Sequence, residues 1–139
     1  MASVPRTIFA PGLAAPPNAT WSNGLVIGDE VVLSGVTARG ADGRPVGGDS
    51  VKEQMLAILE CIKQLLEAAG GSERNIYKLV IYLTDMARKD EVNAARAAFF
   101  RPTYPCSTLV GASALVYPDL LVEVDAFANL QLDLQAAEV

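Results

Sequence analysis

The chain has 139 residues, 51% of them hydrophobic, a net charge of −5 and no histidine. That is enough apolar material for the core of one domain, with no Lys/Arg cluster to follow a nucleic acid or grip a membrane surface. Without histidine, Ser-His-Asp and Cys-His catalysis and the commonest zinc ligand sets are excluded, so no metal or cofactor is predicted.

Residues 1–20 read as a Pro-rich lead-in to a single domain spanning 1–139, because Pro11, Pro16 and Pro17 remove donors and fix φ. The first residues show no charged stretch followed by a long apolar one, and no apolar run approaches the roughly 18 residues of a membrane span, so a cytoplasmic chain is expected. Leu25 to Ile27 and Val31 to Ser34 flank Gly28-Asp29-Glu30 and predict a hairpin. Gly40 to Gly48 is a turn region. Asp49 or Ser50 then caps a helix. Its apolar face is Val51, Met55, Ile58, Leu59, Ile62, Leu65, Leu66 and Ala69, and Gly70-Gly71 stops it. Ile76 to Leu83 is a strand, and Thr84 or Asp85 caps a second helix over Lys89 to Phe100, ended by Pro102 and Pro105. Ser107 to Leu115 and Leu120 to Leu130 supply two last strands, joined through Tyr117-Pro118-Asp119. Cys61 lies in the first helix, far in sequence from Cys106 and without a CxxC pair, so reduced thiols are expected.

This order predicts an α+β fold, a mixed sheet with two helices on one face. Two helices cannot shield both sides of so apolar a sheet, and the bare face predicts a closed homo-oligomer. The last strand sets Glu123 inside an otherwise apolar run. An unpaired buried carboxylate is costly, so Glu123 must face a partner, a pocket or an oligomer seam. No phosphate loop or dinucleotide fingerprint accompanies it, since Gly70-Gly71 is a helix stop and Gly47-Gly48 lacks the further glycines or lysine of a phosphate cradle.

Six segments, in order, resemble the RidA/YjgF family of small trimeric proteins, many of which hydrolyse enamines and imines. They are Trp21-Ser22-Asn23, Val32-Leu33-Ser34-Gly35, Leu66-Glu67-Ala68-Ala69-Gly70, Val80 to Met86, Glu91-Val92-Asn93 with Phe99-Phe100, and Val122-Glu123-Val124-Asp125-Ala126. The likeness covers about residues 9 to 130. It implies a chorismate-mutase-like fold, a homotrimer around a central β-barrel, and pockets at the subunit interfaces. Members active on imines carry a Pro-Ala-Arg-Ser type motif whose Arg grips the substrate carboxylate. Here the stretch reads Pro105-Cys106-Ser107-Thr108, with Ser107 in place of the Arg, or Cys106 if the alignment shifts by one. Loss of that contact removes on the order of 2 kcal/mol from carboxylate binding, which points to a more neutral substrate. Arg96 or Arg101 on the preceding helix is close enough in sequence to substitute for that cation, against the reading of both as solvated helix residues.

The resemblance makes Glu123 the catalytic acid/base, positioning a water for attack on C=N, against a structural hydrogen bond to a neighbouring subunit. Ser107 and Thr108 are candidates to hold ligand oxygens, against the ordinary start of a strand. Trp21 is a candidate wall over a flat ligand, against core packing. Ser34 and Gly35 would allow close backbone approach, and Asn93 would orient Ser34 or the substrate, or each supports the fold alone. Cys106 reads as a pocket wall, against a nucleophile. The predicted function is enamine or imine hydrolysis with release of ammonia on a small-molecule substrate. The alternatives are a non-catalytic small-molecule-binding or chaperone-like trimer, or a Cys106 thiol-dependent enzyme. No nucleic acid or membrane partner is predicted.

Overall fold

A computed structural model describes residues 4–9, 19–40 and 42–138. Most of the Pro-rich stretch at 10–20 lies outside the described residues. Ahead of that stretch, β1 (Arg6–Thr7), which was not predicted, pairs antiparallel with β2 (Gly24–Ile27). Sequence period could not show so short a strand. It is fixed from outside, by burial of Ile8 and by the Arg6 guanidinium donating to the Ala69 carbonyl at 3.1 Å.

β2 and β3 (Glu30–Leu33) form the predicted hairpin, with Gly28 at φ 62° supplying the left-handed turn residue. β4 (Val36–Thr37) continues beyond a break at Ser34-Gly35. Next comes α1 (Val51–Ala68), whose first turn is capped by Ser50 Oγ accepting from Glu53 N at 3.0 Å. It closes in a Schellman turn: Gly70, at φ 92°, donates to the Glu67 carbonyl, and Gly71 N donates to the Leu66 carbonyl at 2.8 Å. β5 (Ile76–Leu83) matches its predicted bounds. Asp85 caps a single 3-10 turn, Met86–Arg88, that feeds α2 (Lys89–Phe99).

β6 (Cys106–Gly111) is shorter than the predicted Ser107 to Leu115, because 112–121 leaves the sheet as a loop. That loop is held by Gln54 and by the Arg39 guanidinium, which lies 4.4 Å from the Tyr117 ring centre. β7 (Val122–Asn129) begins two residues later than predicted.

The main path of the sheet runs β1-β2-β3-β7-β5-β6, and β4 pairs with the start of β7. Only β5 and β6 are parallel. The two periods then sort the core. Met55, Ile58, Leu59, Ile62, Leu65 and Leu66 of α1 are buried against alternate strand residues: Val31 and Leu33, Leu79, Ile81 and Leu83, and Val122 and Val124. Each such side chain contributes roughly 1.5–3 kcal/mol. Both helices lie on this one face. Among the described residues no element covers the other face of the sheet, which carries Leu25, Val32, Val80, Phe127, Glu123 and Asp125, with Val32 46% and Phe127 38% exposed. Its last strand, β6, offers an unpaired edge.

Candidate functional site

Pairing places Glu123 opposite both Thr37 and Tyr82, and Asp125 opposite Val80. Residues 123 and 125 share a face because a strand alternates. The break between β3 and β4 lays the Gly35 backbone directly against them. A Cβ on Gly35 would stand 3.1 Å from Glu123 Cδ and 3.2 Å from Asp125 Oδ1. Tyr82 donates its hydroxyl to Asp125 Oδ2 at 3.1 Å, and that hydrogen bond raises the Tyr82 pKa. Burial, and secondly the nearby Asp125, raise the Glu123 carboxyl above the usual carboxylate range.

Ser34 is drawn in from the same break. Its hydroxyl donates to the Ser22 carbonyl at 2.5 Å, and its amide to the Asn23 carbonyl at 3.0 Å. These two bonds hold Ser22 and Asn23 against Ser34, and the preceding Trp21 is 55% exposed instead of packed in the core. Ser34, Gly35 and Glu123 are therefore brought together, joined by Asp125 and Tyr82, and Trp21 is the chain neighbour of the Ser22 that Ser34 holds.

The remaining predicted residues form a second cluster. Asn93 and Arg96 lie three apart on one side of α2. Arg96 donates from Nη1 to Ser107 Oγ at 2.7 Å and from Nη2 to Asn93 Oδ1 at 3.4 Å. Asn93 is thus bonded to Arg96 and not to Ser34, whose hydroxyl is engaged elsewhere. Thr108 accepts from Lys78 Nζ at 2.9 Å, and the exposed Cys106 is paired with Lys78 in register. Cys61 is also a free thiol, pushed up to about 11 by burial.

The two clusters do not meet within one chain. β5 separates β7 from β6, a lateral step of about 10 Å, and Ser107 lies three residues along from the row that holds Glu123, about another 10 Å. Ser107 also faces the helices, in register with the buried Leu79, whereas Glu123 is on the uncovered face. Arg101 belongs to neither cluster. It lines a separate cavity of about 650 Å³ with Arg74, Phe100, Leu134 and Gln135.

Asp125 and Tyr82 were missed by sequence reading, and Arg96 was discounted. Asp125 could have been found from the two-residue period that relates it to Glu123. Tyr82 needed the strand register. For Arg96 the three-residue spacing from Asn93 was the available signal.

Comparison with known proteins shows the family and the fold. The profile of the family described as Endoribonuclease L-PSP matches residues 12–130. The chain belongs to this family, that of RidA and YjgF. A curated RutC family protein, PH0854 of Pyrococcus horikoshii, is 33% identical over 116 residues, 83% of this chain and 90% of the relative. Among solved RidA/YjgF-type folds, PA3499 of Pseudomonas aeruginosa, a protein of unknown function, is 44% identical, with a TM-score of 0.89 over 98% of this chain and 99% of its own. RidA of an Antarctic Psychrobacter is 27% identical, with a TM-score of 0.80 over 89% and 98%. The α+β fold with two helices on one face of a sheet is therefore the RidA fold. Among the described residues, no helix is long and apolar enough to cross a membrane.

In this candidate site, Gly35→Ala is expected to leave the fold in place, because the group it meets first is the end of a side chain. Glu123 must then move by a few tenths of an ångström. Turnover should fall at least tenfold, with a melting temperature close to wild type; steady-state kinetics and a thermal melt check both.

Proposed function

We propose that the chain is a RidA-like hydrolase that adds water across the C=N bond of an imine, or of an enamine after protonation, and releases ammonia. The observation that carries this is the half-buried Glu123 carboxyl, raised above its usual range and held beside Gly35 and Asp125 on an uncovered sheet face. Such a carboxyl exchanges protons nearer neutral pH than an exposed one. The ionised form takes a proton from water as its oxygen bonds to the imine carbon. The imine nitrogen takes up a proton from solvent, Glu123 then returns its proton to the departing amine, and as the C–N bond breaks the hydroxyl group on that carbon releases its proton to solvent, leaving a carbonyl compound and ammonia. With an enamine, Glu123 first protonates the carbon. Trp21 supplies a flat wall, and Ser34 stays anchored through Ser22 and Asn23.

A homotrimer supplies what one chain does not. Its uncovered face carries Val32 and Phe127, and its β6 edge is unpaired, so a second copy covers both and brings its Ser107 cluster to the first copy's Glu123. The matching family description speaks of RNA cleavage. A chain with no histidine and a net charge of −5 is poorly suited to that chemistry, and C–N hydrolysis is the better reading.

The test is ammonia release from freshly generated imines and enamines, measured above the uncatalysed rate at several enzyme concentrations. Turnover proportional to enzyme is the expected result. No turnover on any member, together with saturable binding of the corresponding ketones or acids, would leave a small-molecule-binding protein instead.

A further inference from the structure

Tyr82 treats the two carboxylates of the open face differently. In register it lies opposite Glu123, yet its hydroxyl reaches diagonally and donates to Asp125 Oδ2 at 3.1 Å. Asp125 is thereby held by one oxygen and turns the other, Oδ1, to the Gly35 backbone. The Glu123 carboxyl stands at the same place: Glu123 Cδ is 3.1 Å and Asp125 Oδ1 3.2 Å from the point a Cβ on Gly35 would occupy. Two like charges flank one point, close enough for each to act on the other.

The other groups around the pair leave this relation undisturbed. β4 presents Thr37 to Glu123, and β6 presents Val110 beside Tyr82, while both helices lie on the far side of the sheet. Two cations on neighbouring rows are engaged elsewhere. Arg39, two residues beyond Thr37, donates to the Tyr117 hydroxyl at 2.7 Å, and Lys78, in register with Phe127, donates to Thr108 at 2.9 Å.

We propose that Tyr82 is a positioning residue for proton transfer: its hydroxyl pins Asp125 through Oδ2 and so keeps the Asp125 charge beside the Glu123 carboxyl that handles the water. Like charges repel, and without that bond Asp125 turns away toward solvent. Asp125 is the second cause, after burial, of the raised Glu123 carboxyl. Loss of the pin therefore lets Glu123 ionise at lower pH and makes it a weaker base toward water. The phenol stays protonated as the donor, since the same hydrogen bond raises its own pKa. The effect on turnover rests on the hydrolase reading, whereas the pinning of Asp125 does not.

Tyr82→Phe keeps the ring and removes the hydroxyl. Ionisation of Glu123 is followed in the full-length protein by carbon-13 NMR, beside turnover on the imine panel and a thermal melt. The Glu123 midpoint should fall in Tyr82→Phe, as it does in Asp125→Asn, and Tyr82→Phe added to Asp125→Asn should move it no further, because Tyr82 acts through Asp125. The plateau rate should fall about two- to tenfold with KM unchanged. In Asp125→Asn, which leaves Tyr82 in place, the Tyr82 phenol should titrate at lower pH than in wild type. A Glu123 midpoint that stays or rises in Tyr82→Phe overturns the proposal, even where the rate drops, as does a further fall in the double variant or a Tyr82 titration indifferent to Asp125→Asn. If that midpoint stays while wild type releases ammonia, the hydrolase reading stands and this inference fails. A midpoint that falls as expected, with no ammonia released from any imine, would uphold the pinning and remove the hydrolase reading.

Discussion

Glu123→Gln is expected to lower ammonia release by about 100- to 10,000-fold at pH 7, the share that a positioned acid/base group supplies. Glutamine keeps the shape and loses the proton exchange, so binding of unreactive ketones should barely change. In wild type the rate should rise with pH as Glu123 ionises, with a midpoint above that of an exposed carboxylate. Asp125→Asn removes one of the two causes of that shift, so the rising limb should move to lower pH. Stability follows the same group. The folded chain holds this proton more tightly than the unfolded chain, so the associated stability is complete below the unfolded pKa and is lost as pH rises through the raised folded value. Glu123→Gln should therefore match wild type in urea titrations near pH 4 and exceed it near pH 8. Equal turnover in wild type and variant would remove Glu123 from the chemistry.

Gln54→Ala is expected to cause the largest loss of stability, about 2–4 kcal/mol, from the loss of a fully buried side chain and of its three backbone hydrogen bonds. Gln54 is fully buried on α1. Its Nε2 donates to the Gly48 carbonyl at 2.7 Å and the Asp119 carbonyl at 3.0 Å, and its Oε1 accepts from Leu121 N at 3.0 Å. One amide thus ties the helix to the turn before it and to the loop that enters β7, two residues ahead of Glu123. A shift of the urea midpoint with unchanged m-value would register the loss. A change under about 1 kcal/mol would mean that water replaces the side chain at all three groups.

Much of this architecture is legible in the residues themselves. The three- and four-residue spacing from Val51 to Ala69 gives α1, the Ile76 to Leu83 run gives β5, and the Gly28 turn gives the hairpin, because each is decided by local periodicity or by one residue's φ. What escaped notice depends on distant partners. β1 exists only through β2, and the end of β6 is set by a loop that Gln54 and Arg39 hold. Glu123 stood out as a charge in an apolar strand. Its surroundings did not, since Tyr82 arrives by register and Gly35 by a break between strands. Arg96 looked like an ordinary solvated helix residue until the parallel pairing of β5 and β6 brought Ser107 within 2.7 Å of it. Sequence shows residue types and local spacing, while the pairing of sites across strands emerges only in the fold.

The central claim is that the active site is shared, Glu123 coming from one copy and the Ser107 cluster from another. Subunit mixing tests it most directly. Glu123→Gln removes one half and Ser107→Trp fills the other, so each homotrimer should be inactive. After denaturation and joint refolding, about a quarter of the sites in randomly mixed trimers should regain both intact halves, and ammonia release should recover in proportion. No recovery, with mixed trimers demonstrated by mass, would contradict a site built between subunits.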